Sequence, residues 1–195
     1  YAAHEIPAKY TWISKYVKKA ANENRKVLVW SNFVGNLLAL QKVLKPFAPA
    51  LIYGGLDSQS RSAELTRFRT DPDCHVLLTN PQTLGEGVSL HHECHDAIYV
   101  DRIYNAGLYL QSVDRIHRLG LPKDQQTRIF ILNSERSIDH RVSLSLATKI
   151  ERMSLALNDP GLVESAIPLE LAETLPSELI GLDKFDLDSL YAYLS

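Results

Sequence analysis

Apolar and polar positions along this chain follow two rhythms. Short, nearly unbroken apolar runs at 27–30 (Val-Leu-Val-Trp), 51–53 (Leu-Ile-Tyr), 76–78 (Val-Leu-Leu) and 97–100 (Ala-Ile-Tyr-Val) suit strands buried on both faces. Between them apolar residues recur at helical spacing: Ile13, Tyr16, Val17 and Ala20 within 7–24, then a second set across 33–44. Pro7 falls near the start of the first helix, where a missing N–H is tolerated. A third helix is expected from a cap at Ser58 or Ser60 to Phe68, ahead of the Asp71-Pro72 break. Farther along, 127–132 reads as a strand and 138–157 as a long helix broken by Asn158-Asp-Pro-Gly161. Residues 186–194 place Leu187, Leu190, Tyr191 and Leu194 on one helical face. Repeated strand–helix units with apolar strands predict an α/β fold, a parallel sheet covered on both sides.

In such sheets ligands gather at the carboxyl ends of the strands. Many of the distinctive residues fall just there: Ser31-Asn32, Tyr53-Gly54-Gly55, Thr79-Asn80 and Asp101. The most informative stretch lies after the last of these, Gln111-Ser-Val-Asp-Arg-Ile-His-Arg-Leu-Gly120. If helical throughout, it puts Gln111, Arg115 and Arg118 on one face and Leu108, Tyr109, Val113, Ile116 and Leu119 on the other. Two guanidinium forks on an anchored helix suit phosphate recognition. A solvated face with an Asp114–Arg118 pair is the plain alternative.

Composition narrows the class modestly. The chain has 195 residues, 45% hydrophobic and 23% charged, which is ordinary for one globular domain with an appendage. No apolar run has membrane-spanning length and no signal-peptide pattern is present, so no membrane partner is expected. Cys74 and Cys94 make no disulfide framework, which favours a reducing compartment. The first residue, Tyr1, suggests a piece of a longer protein. The net charge of −2 hides an asymmetry: 163–195 hold seven acidic residues and Lys184, leaving 20 basic against 16 acidic residues before them. A mildly basic body with an acidic tail is compatible with a polyanion partner. His91-His-Glu-Cys-His95 is read as a polar loop, not a metal site, because adjacent residues rarely converge on one ion and no second Cys/His pair supports them.

Several segments, in order and spacing, resemble the second RecA-like lobe of a Swi/Snf-family DNA-dependent ATPase of helicase superfamily two. They are Val27-Leu-Val-Trp-Ser-Asn-Phe33; Tyr53-Gly-Gly-Leu-Asp-Ser-Gln-Ser-Arg61 with Phe68; the motif V-like Leu77-Leu-Thr-Asn-Pro-Gln-Thr-Leu-Gly-Glu-Gly-Val-Ser-Leu90; and Asp101 through Tyr104-Asn105, ten residues to Gln111, then Arg115 and Arg118. The resemblance spans about 7–157. It implies a RecA-like three-layer sandwich over 1–157, with 158–195 an acidic linker and helical C-terminal extension.

It also implies an ATPase whose nucleotide lies between two lobes. The phosphate loop and acidic magnesium box belong to the first lobe, and no G-x-x-x-x-G-K-[ST] string occurs here. ATP with Mg2+ is therefore expected to be shared with a first lobe that holds most of the magnesium, and this chain alone to be inactive. By resemblance Arg118 is the arginine finger, Arg115 a second phosphate contact, and Gln111 an orienting residue. Gly85 and Gly87 bracket Glu86 in a loop beside the nucleotide, where glycines permit close backbone approach; a plain strand-to-helix turn is the other reading. The family usually has an apolar residue at Glu86, so its role stays open. Ser31, Asn32, Gly55, Arg61, Thr79, Asn80, Tyr104 and Asn105 are candidates for a double-stranded DNA phosphate track, where small polar groups position a strand without reading sequence. Tyr104 stands where the family has tryptophan, Ala106 where it often has proline, and Leu121 where it commonly has glutamine; these departures suggest a divergent branch.

The expected function is a DNA-translocating motor lobe. Alternatives are an RNA-helicase or restriction-type motor lobe, or a non-catalytic interaction module engaging a protein through the acidic C-terminal helix. Expected localisation is cytoplasmic and nucleoid-associated in a bacterium, nuclear in a eukaryote.

Overall fold

A computed structural model describes residues 6–84, 88–117, 126–134, 137–159 and 161. The chain divides into two compact units, one formed up to Asp101 and again over Arg115–Leu132, the other over Arg102–Asp114 and from Asn133 onward.

The first unit is built on five parallel strands: β1 (Lys26–Trp30), β2 (Ala50–Ile52), β3 (Val76–Thr79), β4 (Cys94–Tyr99) and β5 (Arg128–Ile131), in spatial order β2-β3-β1-β4-β5. The central strands are buried along nearly their whole length, as continuous apolar runs require. Helices α1 (Ala8–Asn22), α2 (Val34–Val43) and α3 (Ser58–Thr70) connect or precede the strands. Ile13, Val17 and Ala20 of α1, with Leu37 and Leu40 of α2, join Val27, Val29, Val76, Leu78 and Ile98 in one core. The period-two alternation of strand side chains sends Leu28, Trp30, Leu77 and Tyr99 the other way. The register pairs Trp30 with both Thr79 and Tyr99, and Ile52 with Thr79. The strands therefore end side by side, and the residues just beyond them emerge as neighbours.

Two expectations are corrected here. The cap of α3 is Asp57, not Ser58 or Ser60: one carboxylate oxygen accepts the Ser60 N–H at 2.7 Å and the other the Ser60 hydroxyl at 3.0 Å, two charge-assisted bonds that a single hydroxyl cannot match. The hydrogen bonds hold the Asp57 carboxyl below its ordinary range. Second, the strand expected at 97–100 begins at Cys94, because a register irregularity at Lys26/Val27 lets Lys26 pair with Cys94.

The second unit contains α4 (Ala106–Val113) and α5 (Ile138–Leu157). Ala106, Tyr109, Leu110 and Val113 are buried from α4; Val142, Leu146, Ile150 and Met153 from α5, each set at helical spacing. The bounds of α5 are those the apolar period predicts. Ser137 caps its start, accepting from Asp139 N–H, and Asn158 ends it at φ 53°, a left-handed conformation asparagine tolerates. Together these features make a mostly parallel, RecA-like α/β sandwich with a C-terminal helix beyond the sheet.

Candidate nucleic-acid and nucleotide site

At the carboxyl end of the sheet, the β1–α2 loop folds onto Asp101. The Asn32 backbone N–H donates to Asp101 Oδ1 at 2.7 Å, and Asn32 Nδ2 to the same oxygen at 3.2 Å. Asn36 Nδ2, one turn into α2, donates to Oδ2 at 3.0 Å, and the Ser31 hydroxyl donates to that oxygen as well. Ser31 Oγ in turn accepts the Phe33 N–H at 3.2 Å. Two α1 groups lie behind this cluster: Tyr10 OH donates to Asn36 Oδ1 at 2.8 Å, and Lys9 Nζ to the Val100 carbonyl at 2.7 Å. Burial, then the Asp101 charge, raises the Tyr10 hydroxyl above its ordinary pKa.

Of the strand-end candidates, Ser31 and Thr79 are fully buried and Asn80 nearly so, while Asn32 is half-buried. The Ser31 N–H donates to the Thr79 carbonyl at 3.1 Å, which joins the ends of β1 and β3. After β2 the chain turns through Gly54 and Gly55, closed by Leu56 N–H to Tyr53 carbonyl at 3.1 Å. A Cβ at Gly55 would lie 2.6 Å from the Tyr53 ring, so this close approach calls for glycine. Arg61 Nε donates to the Leu56 carbonyl at 2.9 Å, bracing the same turn from α3.

The arginine stretch departs from a single helix face. Helix α4 ends at Val113, with Asp114, Arg115 and Ile116 in a turn and His117 beyond it. The physical reason is a competing partner: the Arg115 carbonyl accepts the Leu90 N–H at 2.8 Å rather than a helical N–H. The Arg115 guanidinium donates to the Val88 carbonyl at 3.2 Å, near the end of the motif V-like segment. Gln111 is helical and half-buried; Ile116 is buried, as its place in the apolar arc requires. Arg118, Gly85, Glu86 and Gly87 lie outside the described residues.

In the second unit Asn105 caps α4, accepting the Leu108 N–H at 3.0 Å, and Tyr104 is 44% exposed. Lys149 Nζ donates to the Tyr104 carbonyl at 3.2 Å. In the histidine-rich loop, Ser89 Oγ and His91 Nδ1 are hydrogen-bonded, and the His91 and His92 rings lie 3.9 Å apart. Among the described residues no group of three or more His, Cys, Asp or Glu side chains is arranged to hold a metal ion.

Sequence reasoning marked Asp101 as a strand-end residue and as the start of the segment leading to Gln111, gave it no role of its own, and passed over Asn36 and Tyr10. Asn36 carried only a faint signal, a polar amide in the first turn of α2 soon after Ser31-Asn32. Nothing local could have marked Tyr10, which arrives from a separate helix.

A parallel sheet with polar residues collected at its carboxyl edge defines a RecA-like lobe. Residues 8–120 match the helicase conserved C-terminal domain, and the chain belongs to that family. An uncharacterized ATP-dependent helicase of Schizosaccharomyces pombe is 31% identical over 157 residues, covering 78% of this chain and 14% of that protein. The DNA repair protein rad8 of the same yeast is 33% identical over 106 residues, 53% of this chain and 9% of that one. The chain therefore spans only a small part of these relatives. Two solved structures share the fold. The C-terminal part of the Fun30 ATPase domain superposes with a TM-score of 0.60 at 24% identity, covering 69% of this chain and 43% of that one. The C-terminal domain of the Sulfolobus solfataricus SWI2/SNF2 ATPase gives 0.55 at 15% identity, covering 88% and 69%. The chain therefore carries a helicase conserved C-terminal domain on a RecA-like fold, and that fold is similar to the C-terminal domains of these two ATPases.

Proposed function

We propose that this chain is the second motor lobe of an ATP-driven translocase on double-stranded DNA. One observation carries the reading: residues from β1, β2, β3 and β4 emerge side by side at the carboxyl edge of a parallel sheet, where such sheets bind ligands. The names of the relatives, helicases and DNA repair proteins, point the same way. In the first unit Asn32, Gly55 and Arg61 reach solvent and would carry the phosphate track, with Ser31, Thr79 and Asn80 shaping the backbone beneath them; in the second unit the exposed Tyr104 and the α4 cap Asn105 are further candidates in this reading.

Hydrolysis concentrates negative charge on the γ-phosphoryl oxygens, and a guanidinium fork placed there stabilises the transition state more than the ground state. Arg118 fills that role in this reading. In the same reading Arg115 is a second phosphate contact, Gln111 an orienting residue, and Gly85, Glu86 and Gly87 further nucleotide-side candidates. A first lobe of the same protein supplies the phosphate loop and the ligands of the Mg2+ that accompanies ATP. The test is Arg118→Ala in the intact protein. DNA-stimulated turnover should fall on the order of 10³-fold, with nucleotide binding retained by equilibrium dialysis. Unchanged turnover would refute the finger and favour a docking module.

A further inference from the structure

Asp101 is the acceptor for four donors: the Ser31 hydroxyl, the Asn32 backbone N–H, Asn32 Nδ2 and Asn36 Nδ2. A carboxylate, with acceptor capacity on both oxygens and nothing to donate, takes all four at once; an amide placed there alone would turn an N–H toward the Asn36 amide, a mismatch removed only if residue 36 becomes the acceptor. Charge-assisted bonds of this kind hold geometry tightly. Their effect is to fasten residues 31–33 to the end of β4. Ser31 is turned inward, Asn32 keeps a half-buried side chain at the sheet edge, and Phe33 is left 62% exposed with its N–H held by Ser31. A second layer steadies the first. Tyr10 orients the Asn36 amide so that its Nδ2 faces the carboxylate, and Lys9 holds the carbonyl of Val100 beside it. Helix α1, helix α2 and the ends of β1 and β4 thereby meet in one polar knot. Asp101 is also the residue at which the chain leaves the first unit.

We infer that Asp101 is a positioning residue for DNA, its carboxylate presenting Asn32 and Phe33 in fixed geometry at the track. Resting on the motor reading above, the inference adds that DNA affinity depends on a carboxylate that itself touches no DNA. A bare carboxylate beside a phosphate track would repel it. Here the charge faces inward and is met by four donors.

The experiment measures ATPase rate against concentration of a blunt DNA duplex in the intact protein. Three forms are compared: unaltered, Asp101→Ala, and the double exchange Asn36→Asp with Asp101→Asn. In the double exchange the new amide at 101 still accepts from Asn32 and donates to the new carboxylate at 36, which also accepts from Tyr10, while the Ser31 hydroxyl keeps the Phe33 carbonyl as its acceptor. Asp101→Ala should raise the half-saturating duplex concentration about tenfold while changing the rate at saturating duplex by less than about threefold. The double exchange should bring the half-saturating concentration back to within about threefold of the unaltered protein. A change in maximal rate alone, no change in half-saturation, or no recovery in the double exchange with its melting temperature preserved would overturn the inference. Absence of DNA stimulation in the unaltered protein would overturn the motor reading, and this inference with it.

Discussion

The two ends of the β-sheet each carry a buried or half-buried carboxylate, and they handle it differently. At the amino end Asp96 is 1% exposed and met by two full charges: Arg128 Nε lies 2.7 Å from Oδ1, and Arg25 pairs with Oδ2. Beside it, Lys26 Nζ donates to the carbonyls of Phe68, Asp71 and Cys74 at 2.5, 2.7 and 3.0 Å, satisfying groups that would otherwise be left open. Burial pushes the Cys94 thiol to about 12, so it is a packing residue, not a nucleophile. At the carboxyl end Asp101 is met by neutral donors, and the loop it organises leaves an aromatic residue and amide groups facing water. One end is closed by matched charge; the other is shaped but left open to a partner. The contrast separates polar groups that hold the sheet together from polar groups that prepare a surface.

The contrast can be broken most directly at Asp96. Asp96→Asn removes the charge shared by two arginines and should cost about 3 kcal/mol of unfolding free energy. That lies at the lower end for a buried ion pair, because the Arg25 and Arg128 side chains are 24% and 41% exposed and can rehydrate. Urea unfolding checks it; a loss under 1 kcal/mol would mean the pairing contributes little. Lys26→Met, which leaves three carbonyls without their shared donor, should cost about 2 kcal/mol by the same measurement. Asp101→Ala should cost about 1 kcal/mol, since its partners are only part-buried and can turn to water. Its larger effect belongs to DNA half-saturation. Should Asp101 prove the more destabilising of the two aspartates, the assignment of structural and functional ends would be reversed.

The smallest expected effect concerns pH. Burial, then the nearby His91 and Arg128, lowers the His95 pKa below its ordinary value of 6.5. Below that value the unfolded chain takes up the proton before the folded one does. Stability contributed by neutral His95 is therefore complete above pH 6.5 and declines as pH falls toward the lower folded value. His95→Gln should flatten the stability–pH curve in that window, read from melting temperatures between pH 5 and 7. An unchanged slope would show that His95 is not the group responsible.

Much of the fold was legible because it rests on local rules. Continuous apolar runs located β1, β2 and β3 to within a residue or two, and the apolar period with Asn158 located both ends of α5. The collection of polar residues at the strand ends was legible for the same reason, since a parallel sheet aligns its carboxyl edges. The cap of α3 lay within reach of the same reasoning, but three capping residues in four positions left the choice to the turn at Leu56. The end of α4 was not legible. Val113 stops that helix because Leu90, more than twenty residues away in sequence, offers an N–H to the Arg115 carbonyl.

By itself the sequence determined the elements, their parallel arrangement and the family, because hydrophobic periodicity and motif spacing are properties of neighbouring residues. Only the tertiary structure decided what the polar residues do. Asp96 and Asp101 are two aspartates five positions apart, flanking the apolar run 97–100, and nothing in that run says which partners each one meets. Arg25 and Arg128 reach the first from a loop before β1 and from β5; Ser31, Asn32 and Asn36 reach the second from the β1–α2 connection. Hydrogen bonds and ion pairs act over about 3 Å, so the role of each carboxylate was set by which distant segments the fold carried to its side.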